Sequence, residues 1–154
     1  MAGGRGTRLM PLTANRPKPM VPVLGRPVID YVKDAMVASG LSEIIVTTGY
    51  QGEQLVEHVA TWDIPSRVNQ EESPMGTAGS VRLLSDELKS TFVVGSGDSV
   101  ASFDIADLLK SHRESGAKVT MALWRVDDPT EFGIVGLSRE NQGAIESTLN
   151  EGYI

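Results

Sequence analysis

The residues best suited to chemistry stand near the start of the chain. Gly3, Gly4 and Gly6 share eighteen positions with Arg5, Arg8, Arg16 and Lys18, in the run Gly3-Gly4-Arg5-Gly6-Thr7-Arg8-Leu9 that continues to Pro17-Lys18-Pro19-Met20. Glycines let a backbone turn so that its N–H groups converge on an anion, and guanidinium and ammonium groups add forked and point charges for phosphate oxygens. A glycine cluster alone is as well explained by a turn, and one cation alone by solvated surface, but together they predict a polyphosphate cradle. The dinucleotide fingerprint fails because Leu9 stands where its last glycine belongs, and the Gly-Lys-Ser/Thr ending of a Walker loop is absent.

Two further segments carry candidates. Asp98 closes a Gly95-Ser96-Gly97-Asp98 turn directly after the apolar run Phe92-Val93-Val94. An aspartate there is either a turn former or helix cap, or a ligand for a hard cation such as Mg²⁺, which takes one or two carboxylates together with substrate phosphates. In Gln70-Glu71-Glu72-Ser73-Pro74-Met75-Gly76-Thr77-Ala78-Gly79, Gln70 and the Gly76 backbone could read a base edge. The alternative is a solvated loop with Thr77 as helix cap. His58 and His112 lack a partner at metal spacing and are expected at the surface, with Trp62 and Trp124 in the core or at its rim.

The elements that must position these residues follow from hydrophobic periodicity. Val28, Ile29, Val32, Ala35 and Met36 recur at helical spacing from Pro27 to Ser39, and Leu55, Val56 and Val59 do so from Gly52 to Thr61. A third helix is predicted over Thr77 to Leu88, and a fourth around Ile105, Leu108 and Leu109, closed by Gly116. The run Ile44-Ile45-Val46, the run Phe92-Val93-Val94 and the stretch Val119 to Val126 predict strands, with Asn69 to Gly76 a loop. Alternating strands and helices imply one α/β domain, a mostly parallel central sheet flanked by helices, with ligands beyond the strand carboxyl ends.

Composition narrows the function classes. The 154 residues are 40% hydrophobic and 22% charged, which excludes a disordered tail or a coiled coil. Twenty acidic against fourteen basic residues give a net charge of −6, so no nucleic-acid partner is expected and any phosphate site must be local. Zero cysteines remove thiol catalysis, thiolate metal sites and disulfides. No stretch has the length of a membrane span and no leader is recognised, so the expectation is no membrane partner and a cytoplasmic location.

Ala2-Gly3-Gly4-Arg5-Gly6-Thr7-Arg8-Leu9 with Pro17-Lys18-Pro19 resembles the signature of sugar-1-phosphate nucleotidyltransferases. Met75-Gly76-Thr77-Ala78-Gly79, Gly97-Asp98, Glu131-Phe132-Gly133-Ile134-Val135 and Leu149-Asn150-Glu151-Gly152-Tyr153 agree in order. The resemblance implies a Rossmann-like nucleotidyltransferase fold. It also implies Mg²⁺, a nucleoside triphosphate and a hexose 1-phosphate as reactants, and nucleotide-sugar plus pyrophosphate as products; a homo-oligomer is compatible with it. By the same resemblance Gly3, Gly4, Gly6, Thr7 and Arg8 would hold the triphosphate, and Lys18 would neutralise the reacting phosphates. Gln70, Gly76 and Thr77 would meet the nucleotide, Asp98 the metal, and Gly133 and Asn150 the sugar. Arg8, Lys18 and Asp98 are thus the expected catalytic residues. The chemistry needs no protein nucleophile, since a sugar phosphate oxygen attacks the α-phosphorus and pyrophosphate leaves.

Three departures set further expectations. Only Met1-Ala2 precede the glycine loop where the family has a hydrophobic strand. Ser147-Thr148 follow Glu146 where the family continues through a Glu-Lys-Pro segment. The chain also ends before the family's second metal-binding aspartate. Residues 1–154 are therefore expected to be a partial catalytic domain of a longer protein, with the glycine motif dangling from the terminus. The loop and the Asp128 to Gly133 run look most like mannose-1-phosphate guanylyltransferases. Glucose-1-phosphate thymidylyl and uridylyl enzymes, a phosphocholine-type transferase and a non-catalytic nucleotide-sugar-binding paralogue are the alternatives.

Overall fold

The computed structural model describes the chain except residues 4, 5, 50, 51, 74, 129, 131, 132, 138–144 and 149–154, and describes 145–148 by backbone only. The centre of the fold is a βαβ unit. Strand β3 (Ile44–Thr48) leads through helix α2 (Gly52–Val59) to strand β4 (Ser66–Gln70), and the two strands pair in parallel from Ile44↔Ser66 to Thr48↔Gln70. Leu55 and Val59, one helical turn apart, are the most deeply buried apolar side chains of α2. With Ile29 of helix α1 (Val28–Ala38), Ile44, Val46 and Ala2 they form the core cluster.

Ahead of α1 the chain makes two 3₁₀ turns, Thr7–Leu9 and Lys18–Met20, then a hairpin of β1 (Pro22–Val23) and β2 (Arg26–Pro27). The hairpin turns through Leu24 and Gly25, both at positive φ, as two-residue loops of this hand require. Helix α3 (Gly76–Arg82) follows β4, and α4 (Ile105–Ser115) starts where the Asp104 carboxylate accepts from the Ala106 and Asp107 amides. Strands β5 (Val135–Leu137) and β6 (Ile145–Thr148) form an antiparallel pair.

The four expected helices are present, the third ending at Arg82 rather than running to Leu88. Two strand expectations are corrected. Phe92-Val93-Val94 and Val119 to Val126 are in no ladder, and their side chains are largely exposed, Trp124 to 84%. Phe92 to Val94 is separated from β3 by a cavity of about 540 Å³ walled by Ile44, Val46, Met36 and Val94, so no backbone reaches across to pair with it. Conversely, Asn69 and Gln70 lie in a strand where a loop was expected, because β3 supplies a partner.

The expectation of a dangling glycine motif is also corrected. The Met1 ammonium donates to Gly95 O at 2.8 Å and Met1 O accepts from Gly97 N at 2.7 Å, while Ala2 N donates to Thr47 O at 2.8 Å on the other side. Two residues therefore tie the end of β3 to the Gly95–Gly97 turn. His58 is corrected too: it is half-buried, and its Nε2 lies 2.7 Å from Asp30 Oδ1, which also accepts from Trp62 Nε1 at 3.0 Å.

Gly6 sits at φ 60° directly before the Thr7–Leu9 turn, its carbonyl accepting from the buried Thr13 hydroxyl at 2.8 Å. A methyl group there would lie 2.9 Å from Thr13 Cγ2 and 3.1 Å from Lys18 Cβ, whereas at Gly25, also at positive φ, it would meet nothing within 4 Å. Gly25→Ala is expected to cost only the left-handed penalty of about 1–2 kcal/mol, and Gly6→Ala clearly more. Urea unfolding of the two variants checks this, and equal losses would mean that the packing around Gly6 is not tight.

Candidate active site

The chemistry-bearing segments meet at the carboxyl ends of β3 and β4. Gly3, Lys18, Glu71, Gly76, Thr77 and Asp98 all line one cavity of about 490 Å³, whose floor includes Thr47 and Gly49 at the end of β3. Each wall has its own fixing. Gly3 follows the hydrogen-bonded Ala2, and Lys18 opens the second 3₁₀ turn between the buried Pro17 and Pro19. Asp98 follows Gly97, where a methyl group would lie 3.1 Å from Met1 O, so a side chain there would be tight against Met1. Glu71 extends the β4 ladder by one residue, its N–H donating to Thr48 O at 2.7 Å.

Lys18 Nζ lies 2.8 Å from Asp98 Oδ2, while Oδ1 accepts from the Ser96 hydroxyl at 2.5 Å and the Ser99 hydroxyl at 3.3 Å. The lysine and aspartate side chains are 37% and 25% exposed. An ion pair with that much water contact stabilises a fold by about 0–1 kcal/mol, so its placement matters more for the cavity than for folding. Burial opposes ionisation of Asp98, but the Lys18 ammonium and the two serine hydroxyls outweigh it and hold the carboxyl below its ordinary range. The Met1 ammonium is shifted downward by burial, against the pull of Asp98 and Glu71, which places both carboxylates within electrostatic reach of it.

Not every sequence candidate arrives here. Gly6, Thr7 and Arg8 are not in the cavity wall, and Arg8 is exposed with no ion pair among the described residues. Gln70 lays its amide over Gly52 at the start of α2, so closely that a methyl group on Gly52 would lie 2.7 Å from Nε2. Gly133 is exposed and outside the cavity wall. Gly4 and Asn150 lie outside the described residues. Glu71 and Ser96 line the cavity although neither was singled out. Ser96 was legible in principle as the hydroxyl two residues before Asp98.

Glu71 and Glu72 also line the cavity, but the donor expected for a divalent cation is the single carboxylate of Asp98. Its Oδ2 already faces a cation, Lys18 Nζ, and no three acidic or histidine groups cluster at metal-binding range among the described residues. That suits Mg²⁺ only when phosphates supply most of its ligands, which is its usual habit.

Residues 1–149 match the nucleotidyl transferase family. The chain belongs to that family. It is 35% identical over 146 residues to a mannose-1-phosphate guanylyltransferase of Mycobacterium tuberculosis, covering 92% of this chain and 41% of the relative. A mannose-1-phosphate guanyltransferase of Candida albicans is 31% identical over 153 residues, covering 95% and 42%. The chain thus spans about two fifths of the length of these relatives. Among solved structures, a Bacillus anthracis protein assigned as a glucose-1-phosphate thymidylyltransferase superposes with TM-score 0.81 at 24% identity, over 96% of this chain and 61% of that one. HddC of Yersinia pseudotuberculosis, complexed with GMP-PN, gives 0.75 at 22%, over 97% and 66%. The α/β fold with a parallel pair is therefore the nucleotidyltransferase fold. No helix among the described residues is long and apolar enough to cross a membrane.

The depressed Asp98 pKa predicts an acid limb. The pair's contribution to stability is complete above the unfolded carboxyl value of about 3.9 and is lost as pH falls through the lower folded value. Unfolding titrations from pH 7 to pH 3 should show the stability gap between the parent chain and Asp98→Asn closing below about pH 4. A gap independent of pH would mean that Asp98 is not held ionised by Lys18.

Proposed function

We propose that the chain carries the nucleotide side of a sugar-1-phosphate nucleotidyltransferase, with GTP and mannose 1-phosphate as the favoured pair. The observation that carries this is the convergence of Gly3, Lys18, Gly76 and Asp98 on one cavity at the strand ends, in a chain whose relatives include mannose-1-phosphate guanylyltransferases. In the reaction, an oxygen of the sugar phosphate attacks the α-phosphorus in line, a new P–O bond forms, and the bond to the β-phosphate bridging oxygen breaks to release pyrophosphate. The protein's task is to hold two anions together and offset their repulsion.

Lys18 Nζ supplies one positive charge at the cavity wall, and the Gly3 backbone allows close approach of phosphate oxygens. Asp98, oriented by Ser96 and Ser99, would hold Mg²⁺ together with the phosphates. Bound there, the metal would supply charge neutralisation for the polyphosphate. Substrates of this kind go with a cytoplasmic location. A second reading, nucleotide binding without turnover, is favoured by the position of Gly133 outside the cavity wall.

Pyrophosphate release, measured with four triphosphates against mannose and glucose 1-phosphates, tests both. The GTP and mannose 1-phosphate pair should be fastest, and Lys18→Ala should lower kcat by about 10²–10³, the scale of a lost preorganised donor. GTP binding with no pyrophosphate under any pair would favour the second reading, and no binding of any triphosphate would sink both.

A further inference from the structure

Both oxygens of the Asp98 carboxylate are already engaged. Oδ1 accepts from the Ser96 and Ser99 hydroxyls, and Oδ2 faces Lys18 Nζ at 2.8 Å. A cation reaching Oδ2 must displace that ammonium, and while the two stand side by side their like charges repel. Lys18 is the one cationic side chain among the described residues of the cavity wall. The Met1 ammonium is within electrostatic reach of Asp98 but donates to Gly95 O. The root of the Lys18 side chain is fixed, since the residue stands between the buried Pro17 and Pro19, and a methyl group on Gly6 would lie 3.1 Å from its Cβ and 3.5 Å from its Cγ. When the contact breaks, the ammonium stays tethered to this wall.

An anion is what can move it. A phosphate oxygen offers Nζ another charged acceptor, and a partly exposed ion pair is held by little free energy, so the exchange is easy. We propose that Lys18 is a latch on the metal site. Its contact with Asp98 Oδ2 keeps a divalent cation off the carboxylate until a polyphosphate draws the ammonium away, so that cation and triphosphate enter together. For the triphosphate this rests on the nucleotide-binding reading above. It goes beyond that reading in giving one side chain opposite effects on the two ligands, against the metal alone and in favour of the polyphosphate.

The charges around the pair show why a latch matters. Glu71 and Glu72 line the same cavity, so without Lys18 the wall would present three carboxylates and attract divalent cations in the absence of any nucleotide. Oδ1 is guarded differently. The Ser96 and Ser99 hydroxyls that face it are neutral, and a hydroxyl can turn to present a lone pair in place of its hydrogen. The ammonium has no lone pair to offer, so it is the group that must leave.

Mn²⁺, which shares the preference of Mg²⁺ for oxygen ligands, tests the latch without turnover. Its binding to the 154-residue chain in the absence of nucleotide is read from the loss of the free-ion electron paramagnetic resonance signal. Lys18→Met and Lys18→Gln should bind Mn²⁺ at least about tenfold more tightly than the parent, tenfold being about 1.4 kcal/mol. Lys18→Arg, which keeps the charge, should match the parent, and adding Asp98→Asn to Lys18→Met should remove the gain. Calorimetry of GTP in the presence of Mn²⁺ should move the other way, binding being weakened at least about tenfold in both neutral variants. Thermal melts check that each variant is folded, and either neutral variant suffices if the other is not. Unchanged Mn²⁺ affinity in the neutral variants, an equal gain in Lys18→Arg, or a gain that survives Asp98→Asn overturns the latch and leaves the nucleotide-binding reading intact. So does a gain in Mn²⁺ affinity with GTP binding unchanged, because the ammonium then does not move to the phosphates. Failure of the parent chain to bind GTP or any other triphosphate overturns the nucleotide-binding reading, and joint entry with it.

Discussion

Met1 and Ala2 are hydrogen-bonded on both sides at once, and the geometry of the cavity depends on it. One side takes Thr47 at the end of β3, the other takes Gly95 and Gly97. Leaving such groups buried and unpaired costs about 1–3 kcal/mol each, so the three bonds set where the chain start can lie. The small residues suit that closeness: Ala2 is buried in the core cluster, and a methyl group on Gly97 would be tight against Met1. Because Gly3 continues from Ala2 and Asp98 from Gly97, fixing one junction brings the glycine loop and the acidic turn to the same wall.

Electrostatics then divides that wall. The chain as a whole is acidic, with a net charge of −6, and offers no general attraction to a polyanion, so the charges that count are those held in place. Lys18 and Asp98 neutralise each other across 2.8 Å, and the Ser96 and Ser99 hydroxyls occupy the other carboxylate oxygen. Position is thereby set for an ammonium and a carboxylate with little net charge between them. Glu71, in the same wall, has no ion pair among the described residues.

How much of this could be read from the chain depended on where the information lies. Helices α1, α2 and α4 and strand β3 carry it within their own sequences, as helical spacing or an apolar run, and were legible. Ser66–Gln70 has one apolar residue, Val68, and is a strand because β3 lies beside it; Phe92-Val93-Val94 has the stronger local signal and no partner. Strand formation rewards packing against a neighbour more than intrinsic preference. The same limit applies to the end of β3's partner: Asn69 to Gly76 reads as a loop, so the strand that turns Gln70 and Glu71 to opposite sides has no local signal. His58, Asp30 and Trp62 share a carboxylate across sequence separations of 28 and 32, and no local pattern announces such a cluster.

Among the described residues the lining of the cavity runs from Met1 to Asp98. These lining residues are brought together by β3, β4 and the turns that flank them. Of the sugar candidates, Gly133 is described and stands apart from the cavity. A two-substrate transfer needs both anions in one place, so on the proposed reading this wall would serve the nucleotide. Parallel strands deliver their carboxyl ends to one edge by topology alone, whereas the β5–β6 pair is antiparallel and, among the described residues, joined to neither β3 nor β4, so no shared ladder directs it to that edge.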